Sequence, residues 1–226
     1  SMEALYIPLL YLHVACGSIA LVVGPLSLIA KKGGKIHRLM GKIFATSMIL
    51  NGAAALLIAI TPGHQNFFLF AVGIFSLYLV GTGYRFLRLK GLGTRTHAQP
   101  IDWTLTVAML IFGLGMCGYG GFLVYHGATL GYVLMSFGTF GLVLVYRDGQ
   151  LFLKGPKNSR FWLYQHISRM CGALIAAYTA FLVVNGEALG LPPLVAWLFP
   201  SVVGSLIPSY WIRKYKKQHK ESKSAA

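Results

Sequence analysis

Acidic side chains are scarce in this chain: Asp and Glu number 5 in 226 residues, against 20 Lys and Arg. They stand apart, at Glu3, Asp102, Asp148, Glu187 and Glu221, so a hydrolytic mechanism built on two neighbouring carboxylates has nothing to work with. Cysteine is nearly as rare. Cys16, Cys117 and Cys171 fall in separate apolar stretches with no close pair, which argues against a disulfide framework and against a zinc knuckle. There is no His-Glu-x-x-His helix, no Gly-x-Ser-x-Gly elbow and no phosphate loop. Gly113-Leu114-Gly115-Met116-Cys117-Gly118 has the letters of a dinucleotide fingerprint. It lies inside an apolar run with no strand before it, and its glycines serve better as sites of close helix approach, together with Gly120 and Gly121.

What the chain does have is apolar length. It is 56% hydrophobic, 11% charged and has a mean hydropathy of +0.64, which leaves no room for a water-soluble domain. Seven stretches suffice to span a hydrocarbon core of about 30 Å: Tyr6 to Ala30, Leu39 to Ile60, Phe67 to Leu87, Trp103 to Tyr125, Thr129 to Tyr146, Phe161 to Val184 and Leu191 to Ile212. The expected fold is an all-α bundle of seven transmembrane helices. Residues 1–212 form a single membrane domain and residues 213–226 a basic cytoplasmic tail.

A single threading puts every Lys and Arg on one side. With the N-terminus outside, the inner loops receive residues 31–38, 85–102 and 147–160 together with the tail, while the connections 61–66, 126–128 and 185–190 contain no Lys or Arg. That asymmetry orients the C-terminus to the cytoplasm. It also accounts for the formal charge of +15 without nucleic acid as a partner. The tail from Arg213 to Lys220 reads as a topology anchor ending in disorder, or as a holder of anionic lipid headgroups at about 1 kcal/mol per basic residue.

His37-Arg38 opens the second span and His166 with Arg169 opens the sixth; Tyr84-Arg85 ends the third and Tyr210 to Arg213 ends the seventh. These echoes predict two parallel three-helix repeats joined by the fourth span. Pro200 and Pro208 interrupt the hydrogen-bond ladder of the seventh span.

Chemistry must then come from the few polar groups within the bilayer. Arg169 lies about two turns into its span, roughly 12 Å along the axis. A cation there costs about 2.5 kcal/mol or more unless paired. Asp102 and Asp148 are the carboxylates within reach, and two readings stand: a buried ion pair, or a contact to a substrate anion or haem propionate. His166 shares a helix face with Arg169. His37, His166 and the loop residue His97, near Asp102 and Asp148, form a set able to bind metal, relay protons or ligate haem. His13 lies deeper in the first span toward the outer side, bonded to a neighbouring helix or ligating haem with His126. His64, in an outer loop, is expected to be solvated.

The stretch Leu12-His13 to Gly24-Pro25, with Lys31-Lys32-Gly33 and Ile36-His37-Arg38-Leu39-Met40-Gly41, resembles a family of uncharacterised bacterial predicted membrane proteins. Gln165-His166-Ile167-Ser168-Arg169-Met170, running on to Asn185, is similar to that family's second signature. The resemblance implies that His13, His37 with Arg38, and His166 with Arg169 are its motif positions, and it points to the bacterial inner membrane.

Three functions stay open. A haem-binding redox protein would hold haem b on His37, His166 or His13 with Arg38 and Arg169 at the propionates, exchanging electrons with a quinone. A small permease or lipid-binding protein would use the same residues to line a path for a small-molecule substrate. A zinc-dependent membrane hydrolase would hold its metal on His37, His166, Asp102 and Asp148.

Overall fold

The computed structural model describes residues 2–224, with side chains for residues 4–221. Ser1 of the expected membrane domain and Ala225 and Ala226 of the expected tail lie outside the described residues. Seven long helices follow one another: α1 (Met2–Ile29), α2 (Lys35–Ala59), α3 (Phe67–Arg85), α4 (Pro100–Tyr125), α5 (Leu130–Lys154), α6 (Phe161–Asn185) and α7 (Pro193–Ser224). A single 3-10 turn, Phe86–Arg88, extends α3. All seven are long and apolar enough to cross a membrane, so this is a multi-pass protein resident in a lipid bilayer.

Local chemistry sets the helix ends. The Asn66 side chain accepts the Leu69 N–H at 2.9 Å and caps α3. Gln99 and Asp102 form a reciprocal capping box at the start of α4, with Pro100 in the first turn, where its missing N–H costs nothing. α5 stops at Gly155, whose φ of 73° an L side chain rarely adopts. Two helices outrun their hydropathy. α5 continues past Tyr146 to Lys154, and α7 continues past Ile212 to Ser224, so the described part of the tail is helix rather than disordered chain. Lys, Gln and Glu favour helix, no Gly or Pro interrupts them, and Lys217 and Glu221 face each other at 4.0 Å across one turn.

α3 is the hub, packed against α2, α4, α5 and α6, while α1 with α2, α4 with α5 and α6 with α7 form close pairs. The backbone of α7 approaches only α6. α1 lies along α2, whereas the backbones of α5 and α6 do not come together, so the triplets α1 to α3 and α5 to α7 are packed differently and the expected repeat is not evident. Without a hydrophobic drive between helices in lipid, small residues decide which backbones meet. A Cβ on Gly120 would lie 2.8 Å from the Gly131 carbonyl, and one on Gly138 would lie 2.8 Å from that of Gly113. Gly113 and Gly120 therefore seat α4 on α5. Gly115, Gly118 and Gly121 face open space and take no part.

A cluster of Ala20, Phe44, Met48, Val80, Ala173 and Leu174 fills the crossing of α1, α2, α3 and α6. It matters because a cavity opens on either side of it.

Candidate functional site

The polar groups in the bundle divide into a closed network and two open cavities. In the network, Arg169 is 1% exposed and donates from Nη2 to Asp148 Oδ1 at 2.5 Å and from Nη1 to Thr82 Oγ1 at 3.3 Å. Tyr78 donates its hydroxyl to the other carboxylate oxygen of Asp148 at 2.5 Å. The guanidinium also lies over the Tyr78 and Phe86 rings, at 5.1 and 5.7 Å from their centroids. α3, α5 and α6 are thus tied together by one paired charge, the arrangement that makes an intramembrane cation tolerable. Only Arg169 Nε lacks a partner. A second pair, Arg85 with Asp102, is bidentate at 2.7 and 2.9 Å, and Asp102 also accepts the Gln99 N–H at 2.8 Å. Both carboxylates are therefore committed to arginines, and neither lines a cavity.

The first cavity, of about 480 Å³, lies at the basic end of the bundle among the ends of α1, α2, α3, α6 and α7. His37 and His166 both line it. His166 places Nδ1 at 2.9 Å from the Gly83 carbonyl, and His37 places Nδ1 at 2.9 Å from the Ser27 carbonyl. A carbonyl only accepts, so each ring when neutral carries its proton on Nδ1 and keeps a lone pair on Nε2, which has no hydrogen-bond partner among the described residues. Ser27 Oγ, at 3.3 Å from His37 Nδ1, steadies the same ring.

Around these two acceptors the lining is apolar and cationic. Phe44, Leu174, Met170 and Trp162 supply wall, and Lys32, Arg38, Lys42 and Lys90 supply charge; no Asp or Glu lines the cavity. Lys32, in the turn between α1 and α2, donates to the Leu28 carbonyl and rests over the Trp211 ring of α7 at 4.6 Å. Burial pushes its pKa below 10.5, partly countered by Cys171. Lys90 lies over Trp162 at 4.5 Å. Lys32, Lys42, Lys90 and Trp211 were invisible as site residues in the sequence, where lysines at helix ends serve topology first. The only available signal was that all four sit at ends of spans on one side.

His13 belongs elsewhere. It lines a second cavity, of about 510 Å³, at the charge-poor end, between α1, α2, α3 and α6. Its Nδ1 lies 3.2 Å from the Asn51 carbonyl, the same arrangement as the other two histidines. His126 sits on the Phe122 and Tyr125 rings at the end of α4, which does not pack against α1, so the two are not brought together. His64 is exposed, and its ring stacks flat on Tyr6 with centroids 3.6 Å apart, because the turn after α2 folds back over the start of α1. His97 is exposed and lines neither cavity. The two cavities share no lining residue. Between them stand the Ala20, Phe44, Met48 and Leu174 cluster and Tyr178, whose hydroxyl donates to the Leu21 carbonyl at 2.8 Å.

Among the described residues no three His, Cys, Asp or Glu side chains gather as a metal site. Chemically, the basic-end cavity offers two imidazole lone pairs, an apolar wall and a cationic rim.

Residues 10–112 match the family described as Predicted membrane protein (DUF2306), a domain of unknown function, and that part of the chain is similar to it. No curated protein and no solved structure matches.

Proposed function

We propose that this protein is a membrane redox protein that holds one b-type haem in the basic-end cavity, with His37 and His166 as its axial ligands. One observation carries the reading: two imidazoles on different helices, each fixed by an Nδ1 hydrogen bond to a backbone carbonyl, offer free Nε2 lone pairs to one apolar cavity. Ligating histidines are typically held this way, because the carbonyl fixes both tautomer and ring orientation. Arg38, Lys32, Lys42 and Lys90 supply positive charge for the two propionates. Arg169 contributes from a distance, since its guanidinium is occupied by Asp148 and Thr82. The bound haem supplies one-electron chemistry; the chain supplies orientation, exclusion of water and charge balance. By the asymmetry of its basic loops the cavity end faces the cytoplasm, in a bacterial inner membrane.

The test is an absorption spectrum of gently purified protein, oxidised and then reduced with dithionite. A Soret peak with reduced alpha and beta bands at about one haem per chain is expected, lost in both His37→Ala and His166→Ala while the protein stays folded. A spectrum that stays flat after haem is supplied during expression and again to the purified protein ends this reading.

A second reading has its own support. No carboxylate opposes the four cations of the cavity, and one wall belongs to α7, whose backbone rests on α6 alone. That suits an anionic amphiphile, a lipid or small substrate entering beside α7, and predicts a colourless protein that binds dodecanoate. The zinc-hydrolase reading has less to draw on: it finds two histidines, while Asp102 and Asp148 are held by arginines.

A further inference from the structure

We propose that the charge-poor cavity is a binding site for a quinol: an uncharged ring whose hydroxyl donates a hydrogen bond to His13 Nε2. This stands apart from the haem reading, because the two cavities share no residue and are separated by the Phe44, Met48 and Tyr178 layer.

The argument begins with charge. Among the described residues no Lys, Arg, Asp or Glu lines this cavity, so an ionic ligand would be desolvated there without a partner from them. Its polar lining consists of imidazoles, amides and hydroxyls: His13 and His64, Asn51, Asn66 and Asn185, and Ser18, Ser76 and Tyr6. The Asn51 carbonyl takes the proton of His13 Nδ1, which leaves Nε2 as an acceptor alone. It can receive O–H and has nothing to donate to a ring carbonyl. At His13 the site therefore offers an acceptor to the hydroxyl of the reduced partner of a quinone couple.

Position agrees. His13 lies seven residues beyond Tyr6 on α1, so the acceptor sits about 10 Å further along the helix than the Tyr6 ring at the mouth. At the mouth, Asn185 donates its amide to the Phe181 carbonyl and keeps its own oxygen as a second acceptor. The stacked Tyr6 and His64 rings, with Phe68 and Phe181, give a flat ligand aromatic surface. Only a short contact joins α1 to α6, leaving a seam through which an apolar tail can pass into lipid.

The test compares three probes on the intact protein in nanodiscs: decylubiquinol kept reduced, decylubiquinone, and the di-O-methyl ether of the quinol. A buried acceptor left unmatched costs about tenfold or more in affinity, so the quinol should bind at least about tenfold tighter than either of the others. His13→Phe should erase that preference, and His13→Gln, which restores an acceptor oxygen, should keep most of it. His37→Ala should leave it unchanged. Equal binding of quinol and ether to the unsubstituted protein overturns the proposal without any variant. So does a preference that survives His13→Phe or disappears in His37→Ala.

Discussion

The two cavities are close to the same size and are built around the same device, an imidazole pinned by its Nδ1 to a carbonyl, yet they offer opposite environments. At the basic end two such rings share a cavity with Lys32, Arg38, Lys42 and Lys90; at the other end His13 stands among amides, hydroxyls and aromatic rings, with no Lys, Arg, Asp or Glu among the described lining residues. The difference shows that histidine position alone does not define a site in this bundle. What surrounds the free Nε2 decides whether it meets an iron, an anion or a hydroxyl.

The largest expected effect tests the boundary of that comparison. Arg169 is a cation near the basic-end cavity but belongs to neither cavity. If it serves as an ion pair, Arg169→Met leaves Asp148 buried and unpaired and costs about 3–5 kcal/mol in unfolding free energy. The double substitution Arg169→Met with Asp148→Leu should recover most of that loss. Unfolding in mixed micelles measures both. A single variant that stays as stable as the parent yet no longer binds its ligand would instead move Arg169 into the cavity's machinery.

Next in size is the cationic rim. Arg38→Gln and Lys90→Gln should each weaken haem, or dodecanoate if the protein is colourless, by about fivefold, in line with about 1 kcal/mol per basic residue near an anionic group. Neither should alter quinol affinity at the other end. Added salt should weaken the first ligand and leave the second alone. An equal response at both ends would mean that the two cavities do not differ in charge as their linings indicate.

Much of this architecture was legible in the sequence. Seven apolar runs became seven helices because only a helix satisfies its own backbone in lipid, and Asn66, Pro100 and Gly155 mark ends that local chemistry fixes. α7 outran its hydropathy because beyond Ile212 helix propensity governs, and the Lys-rich segment has plenty. The pairing of Arg169 was narrowed to two carboxylates by counting; choosing Asp148 over Asp102 took the placement of α5 beside α3 and α6. The nearness of His37 to His166 followed from both opening helices at one end. That each ring turns a lone pair inward depends on the Ser27 and Gly83 carbonyls, and a backbone acceptor leaves no trace in residue identity. His13 and His126 show the reverse case: a shared outer side suggested a pair, and helix packing kept them apart.

The smallest effect separates the cavities by pH. Burial lowers the pKa of the rim cation Lys32 below 10.5, and its side chain bridges the α1–α2 turn to Trp211. Between its lowered folded-state pKa and 10.5 the unfolded chain binds more protons than the folded one, so stability rises with pH across that window. Affinity for an anion runs the other way, because the folded protein loses a positive charge at the rim as pH climbs through the same window. Anion binding measured from neutral pH up to 10.5 should therefore decline earlier than an ordinary lysine would dictate, and Lys32→Met should flatten that part of the curve. Lys32 lines only the basic-end cavity, so its titration should leave quinol affinity at the other end unchanged. A parallel decline at both ends would trace the pH effect to unfolding of the whole bundle rather than to the rim, and the contrast between the cavities would have to rest on the charge substitutions alone.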